Sequence, residues 1–587
     1  MKKLTTIILL LTTATFLFIY IGCDNKKTST TGNVSLFAAL PSRLPANALQ
    51  SCTITQPDFN SWFASGTATE NGIVMPANSV TFGHHNNCDF YKWSWQMFAW
   101  ITSPLADKKT VMESPIFYTV SPADTAGNRT LLPHTPGVPL QVTSSITQFG
   151  ANNLPTIKDK LGHIFEIEKH PANSKPLVLM GNRKTIIHHV DLDESGKPIF
   201  KDQSGKIIQN PKAVFTRKGN FVHEFKASNG KSVFVSANGP IETEEGQAQG
   251  SHGLMAQNGS LVYYITMIND VFAFYLSGAK NGEISSAQFP TTAAQRDSIS
   301  EIARANGKTL PDSNALAMEI KTSWVEASSL PDPQNYVTIE AVVPSYTKTD
   351  SLWTPNATTQ TVKLAMVGMH VVGSTAGHPE MVWATFEQKN NAPNASYQYL
   401  NTDSTVVVVP QDSIGSWTFS SNGLDPNPNL AHFTAAVNTL IAEKGSTISA
   451  SNSLMAFPWG SAANISPNAE NGSSAASNSE VISINNSVLG WLVGNDIRKN
   501  YVLIGATWTN SGVAPTGTSF STNPSDPGAA IGTSLLANIT METYKQSNQN
   551  SCFTCHSNNP NTASLSPAVL SHVYTGIIPL FKSKAAK

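Results

Sequence analysis

Two cysteines three residues apart, with a histidine directly after the second, stand near the end of this chain as Cys552-Phe553-Thr554-Cys555-His556. The spacing matches the attachment pattern of a c-type haem. Thiols one helical turn apart reach the two vinyl groups on one porphyrin edge. The adjacent imidazole then falls beneath the iron as its proximal ligand. Two other chemistries use paired thiols. A redox dithiol opens a helix in a βαβ unit, and no such pattern surrounds this pair. A zinc finger needs a second Cys/His pair at finger spacing, and the sequence has none. The motif therefore predicts one covalent haem c, with Cys552 and Cys555 as thioether sites and His556 as iron ligand.

Cysteine usage along the rest of the chain fits that use. There are five cysteines in 587 residues. Lys2 and Lys3, the apolar run TTIILLLTTATFLFIYIG and then Cys23 resemble a bacterial lipoprotein signal. On that reading residues 1–22 are removed and Cys23 carries the lipid. Tyr20 departs from the pattern, which usually has Leu there. The alternative is an uncleaved anchor, since the run is nearly long enough to span a bilayer. Both readings export the bulk of the chain, to the periplasm or the cell surface. Disulfides persist there. Cys52 and Cys88 are close enough in sequence to form one, closing a loop worth ~3 kcal/mol. That leaves Cys552 and Cys555 for chemistry.

Composition narrows the classes further. The chain is 40% hydrophobic, ample for a large core, yet only 13% charged. Its formal net charge is −1 and it has no basic block, which excludes an electrostatic nucleic-acid binder. After the signal no apolar run is long enough to cross a membrane.

The elements that must position the motif follow from periodicity. Residues 23–48 read as a polar tether, 49–530 as a β-rich body and 531–587 as the haem-attachment segment. The expected fold class is α+β, a large β-rich body with a few helices and a helical C-terminal segment. In CDFYKWSWQMFAWITSP, Phe90, Trp93, Met97, Trp100 and Ile101 fall at helical spacing before Pro104, which marks a core-facing helix. KSVFVSA, SLVYYITM, AMEIKTSWVEA, NYVTIEAVV, TVKLAMVGMHVV, MVWATFEQ, STVVVVP and NYVLIGATW read as strands. TTAAQRDSISEIARANG reads as a helix ended by Gly307. TSLLANITMETYKQ also reads as a helix, with Leu535, Leu536 and Ile539 on one side.

The second axial ligand is less constrained. No methionine follows Cys555, and the 31 residues after His556 are too few to enclose a haem alone. The body must supply much of the pocket. His572 is the one histidine after the motif and ranks first as distal ligand. His370, in VGMHVV, ranks second. Other signals are weaker. Asp191-Leu192-Asp193 with Asp202 has the outline of a calcium loop, but acidic hairpin turns explain it as well. His84-His85 and His188-His189 could bind metal, but a strand would point adjacent histidines to opposite faces, and surface or core roles explain them better. No nucleophile elbow or zincin motif occurs.

Several blocks in order, FYKWSWQMFAWITSP, SLVYYITMIND, AMEIKTSWVEA, VGMHVVGSTAGHPEMVWATFEQ, NYVLIGATW and LLANITMETYKQSNQNSCFTCHS, resemble exported bacterial proteins of the cytochrome c family. The resemblance runs from about residue 88 to the end. It implies Cys552 and Cys555 as thioether sites and His556 as iron ligand, and brings no established reaction. The block around VGMH and MVWATFEQ is expected to line a haem or substrate site. The expected function is electron transfer by a membrane-anchored mono-haem cytochrome, with a protein or small-molecule redox partner. The alternative is a haem-dependent oxidoreductase whose β-rich body binds a substrate.

Overall fold

The computed structural model describes residues 44–582 apart from 108, 123–127, 143–153, 155, 160–162, 169–176, 194–196, 216–218, 228–231, 242–252, 288, 437–438, 444–445, 461–472, 516–525, 534, 547–551, 557–569 and 572. The expected signal, Cys23 and most of the expected tether fall outside the described residues. By Ala48 the chain is already part of the body, fully buried and bridged to Asn401.

Twelve described strands form one sheet. They are β1 (Phe117–Val120), β2 (Leu131–Pro133), β3 (Leu140–Gln141), β4 (Tyr263–Asn269), β5 (Met318–Glu326) and β6 (Thr338–Lys348), then β7 (Leu352–Thr375), β8 (His378–Gln388), β9 (Phe433–Ala436), β10 (Thr439–Ala442), β11 (Tyr501–Thr509) and β12 (Ala530–Gly532). The main path runs β2-β1-β4-β5-β7-β8-β11-β12. Neighbours along it are antiparallel. The 24-residue β7 is the spine: β5 and β8 flank its second half, while β6 and β10 pair with its first. Residues 156–241 build separate smaller sheets around their own core of Val178, Val190, Phe200, Phe225 and Val235.

Helix α1 (Asn87–Ile101) starts where the Asn86 side chain accepts the Cys88 N–H. Its expected stripe of Phe90, Trp93, Met97, Trp100 and Ile101 is buried, and so are Tyr91, Trp95 and Phe98. The helix is enclosed on several sides. Phe98 stacks on Phe386 of β8 with ring centroids 4.2 Å apart, and Phe90 stacks on Trp508 of β11 at 3.9 Å. Full burial of one such ring stabilises by about 2–3 kcal/mol. A disulfide joins Cys88 to Cys52, with Cα atoms 5.3 Å apart. Helix α2 (Asp270–Lys280) follows β4 directly, and α3 (Ala293–Ala305) is closed by a Thr292/Gln295 capping box. Helix α4 (Ser474–Trp491) packs beside α1.

The expected fold class needs correction at its C-terminal end. The chain is β-rich, but the described residues of 531–587 do not form a helical segment. Residues 535–546 run as turns and irregular backbone, and the described α-helix there is the single turn α5 (Cys552–Cys555). The apolar spacing misleads because both sides of this stretch are buried. Leu536 and Ile539 enter one core, while Met541 enters another. Its backbone also has stronger offers than helix bonds. Asn538 Nδ2 donates to Thr385 Oγ1 (2.8 Å) and to the Phe386 carbonyl (3.0 Å), and its Oδ1 accepts the Thr540 N–H (2.9 Å). The Ile539 N–H goes to Glu387 Oε1 at 2.7 Å.

Asn538→Ala leaves several buried groups without partners, at about 1–3 kcal/mol for each one stranded. Urea unfolding is expected to show a loss of about 3 kcal/mol, whereas the exposed Asn427→Ala is expected to be neutral.

Candidate haem-attachment site

Phe553, between the two cysteines, is the anchor of α5. It is fully buried with Leu570, Val573 and Ile577 in the core that α2 also enters. That packing seats the Cys552–Cys555 turn on the body, and the His556 N–H closes it on the Cys552 carbonyl (3.1 Å). The Leu570 carbonyl and the Trp383 ring both hold the His556 ring. Nδ1–H donates to the Leu570 carbonyl at 2.6 Å, and the ring lies 4.3 Å from the Trp383 ring. A backbone acceptor on Nδ1 selects the tautomer with its lone pair on Nε2, the atom that ligates iron in a His-bound haem. Trp383 also meets Phe553 edge-on at 6.1 Å.

The sheet beneath is read by strand alternation. Glu319 and Lys321 of β5, His370 of β7, and Trp383 and Thr385 of β8 share one face, with Lys321, His370 and Thr385 directly opposite one another. His370 Nδ1 is 3.0 Å from Thr385 Oγ1 and Nε2 is 3.1 Å from Glu542 Oε1. Burial alone would raise Glu542, but the facing His370 and then Lys321 outweigh it and hold the carboxyl below its ordinary value. Burial pushes the Glu319 carboxyl up to about 8 against a hydrogen bond from Ser571 and the pull of Lys321.

The two thiols differ. Burial, then the Glu542 charge, pushes Cys552 far above an ordinary thiol, so it stays protonated near neutrality. Cys555 Sγ accepts from Lys545 Nζ at 3.2 Å. Cys552 is therefore not set up as a thiolate nucleophile. A neutral thiol beside a turn whose histidine offers Nε2 is the donor set that haem c attachment uses, and the residues fit that group.

Among the residues expected at the site, Cys552, Cys555 and His556 lie together. His572 is outside the described residues, although its neighbour Ser571 is buried near Glu319. His370 sits on the sheet under the C-terminal segment, and ligation of iron would require it to give up Thr385 or Glu542. Trp383, Glu542, Lys545 and the Leu570 carbonyl carry no motif that names them. Only the block around MVWATFEQ pointed to Trp383. The calcium outline falls on two hairpins, with Glu194, Ser195 and Gly196 outside the described residues: Asp191 pairs with Lys201 at 2.7 Å, and Asp202 Oδ1 accepts the Ser204 and Lys206 N–H groups of its own turn. His188 and His189 lie at one of these hairpins, where His189 Nε2 meets Asp191. No described helix is long and apolar enough to cross a membrane. The chain matches no family model, no curated protein and no solved structure.

Two outcomes follow. In folded chain without haem, brief iodoacetamide treatment at pH 7 is expected to leave Cys552 unmodified by peptide mass analysis, with labelling once the chain is unfolded. Glu319 binds its proton more tightly folded than unfolded, so its contribution is complete below its ordinary 4.5 and is lost as pH rises toward 8. Urea unfolding should therefore show Glu319→Gln gaining on the wild type between pH 5 and pH 9, with the gain levelling off above 8.

Proposed function

We propose that this chain is a membrane-anchored mono-haem c-type cytochrome that passes electrons outside the cytoplasm. Cys552 and Cys555 hold the haem by thioethers, His556 is the proximal ligand, and Cys23 carries the lipid anchor. The observation that carries the reading is the His556 Nδ1–H bond to the Leu570 carbonyl within a CxxCH turn, because it turns Nε2 into the ligand atom. The haem supplies a one-electron iron couple. The chain's own residues orient and shield it. Phe553 holds the turn down, Trp383 fixes the His556 plane, and the Leu570 carbonyl raises the basicity of the imidazole. His572 is the first candidate for the sixth position and His370 the second. Electrons come from and go to a partner protein or a small-molecule donor or acceptor.

The test is a pyridine haemochrome spectrum with intact mass, on full chain expressed with c-type maturation machinery. The expected result is a c-type band and one added haem mass, both lost in Cys552→Ala/Cys555→Ala. Protein that matures with no haem overturns the reading.

A further inference from the structure

A second histidine cluster lies away from the C-terminal motif. His84 and His378 are 294 positions apart in sequence, and their Nε2 atoms face each other at 3.4 Å. We infer that His84 and His378 form a binding site for a divalent late first-row transition-metal ion, zinc or copper in class, with Glu380 orienting His378 from behind. The site does not depend on the haem reading.

The spacing suits a shared ion better than a direct bond. Nitrogens in hydrogen bonds mostly approach within about 3.2 Å. Two ligands of a tetrahedral ion at about 2.0–2.1 Å are themselves about 3.3–3.4 Å apart. The tautomer is also right. His378 Nδ1–H donates to Glu380 Oε1 at 2.8 Å, which leaves the lone pair on Nε2, toward His84. A carboxylate behind a ligating histidine is the usual outer shell of such sites.

Glu380 also has spare hydrogen-bonding capacity behind the site. Glu380 is fully buried; its Oε1 also takes the Thr509 N–H, and its Oε2 has no hydrogen-bond partner. The next residue, Met381, holds φ at +70° inside β8, a left-handed conformation that a non-glycine residue adopts under constraint.

Both imidazoles are held in advance. The turn before β8 is tied to the loop before α1 by the Ala376 N–H to the Ser79 carbonyl (2.8 Å). The loop itself is closed by the Asn86 cap, the His85 N–H to Asp89 Oδ2 (2.8 Å) and the Cys52–Cys88 disulfide. Phe90 packs against both rings at 5.0 Å. His378 is buried and His84 is exposed, so an ion enters from the solvent side. Among the described residues no three His, Cys, Asp or Glu side chains converge on one point. Two protein ligands leave the remaining positions to water or to a small incoming ligand.

The test uses chelator-stripped full chain, in the wild type and in Cys552→Ala/Cys555→Ala so that thiol binding is removed. Zinc is titrated by equilibrium dialysis, and copper is read by electron paramagnetic resonance. One equivalent of zinc should survive the loss of the thiols and weaken at least about tenfold in His84→Ala. The copper spectrum should show two coordinated nitrogens, falling to one in that variant. His84 is exposed, so its replacement leaves the fold intact, and His163→Ala serves as an unaffected control. No bound zinc in the thiol-free chain, or binding and spectra unchanged by His84→Ala, overturns the proposal and leaves a shared proton between the two rings.

Discussion

Strand β7 alternates its side chains between two environments that cannot be exchanged. Met369 and Val371 point into the aromatic core under α1, where Phe98 stacks on Phe386 of the neighbouring strand. His370 points to the opposite face, level with Lys321 and Thr385. A slip of one residue would turn the imidazole into the aromatic core and set the apolar pair against the buried polar groups of the C-terminal segment. That constraint fixes register across β5, β7 and β8 together, and with it everything laid on the polar face.

The C-terminal segment is what covers that face. It is held by buried polar bonds to Thr385, Phe386, Glu387 and His370, not by a helix of its own. The consequence is a motif attached to a rigid platform. Phe553 fills a core made largely by α2 and the chain end, while Trp383 rises from β8 to meet His556. On the haem reading proposed above, the 31 residues after the motif would not have to enclose the cofactor alone.

Strand β8 links the two histidine clusters. At its start His378 and Glu380 face His84. Further along, the Trp383 indole N–H donates to the Glu380 carbonyl at 2.9 Å, and its ring packs on His556. One buried residue, Glu380, therefore positions groups in both clusters, through its side chain in one and its backbone in the other.

The sequence by itself placed Cys552, Cys555 and His556 together, because thiol spacing and an adjacent imidazole are local and the three residues share one turn. It also determined the strands around Tyr264, Trp324, Met369, Ala384 and Ile504 and the helix through Trp95, because period-2 and period-3.6 patterns are written within a few residues. It misjudged residues 535–546, where burial on both sides imitates a helical stripe and the partners that forbid the helix lie some 150 positions away in β8. Tertiary structure alone decided that Trp383 meets His556, that Glu542 rests on His370 and that His84 faces His378. Each of those contacts depends on which strand lies beside which, and no local pattern carries that information.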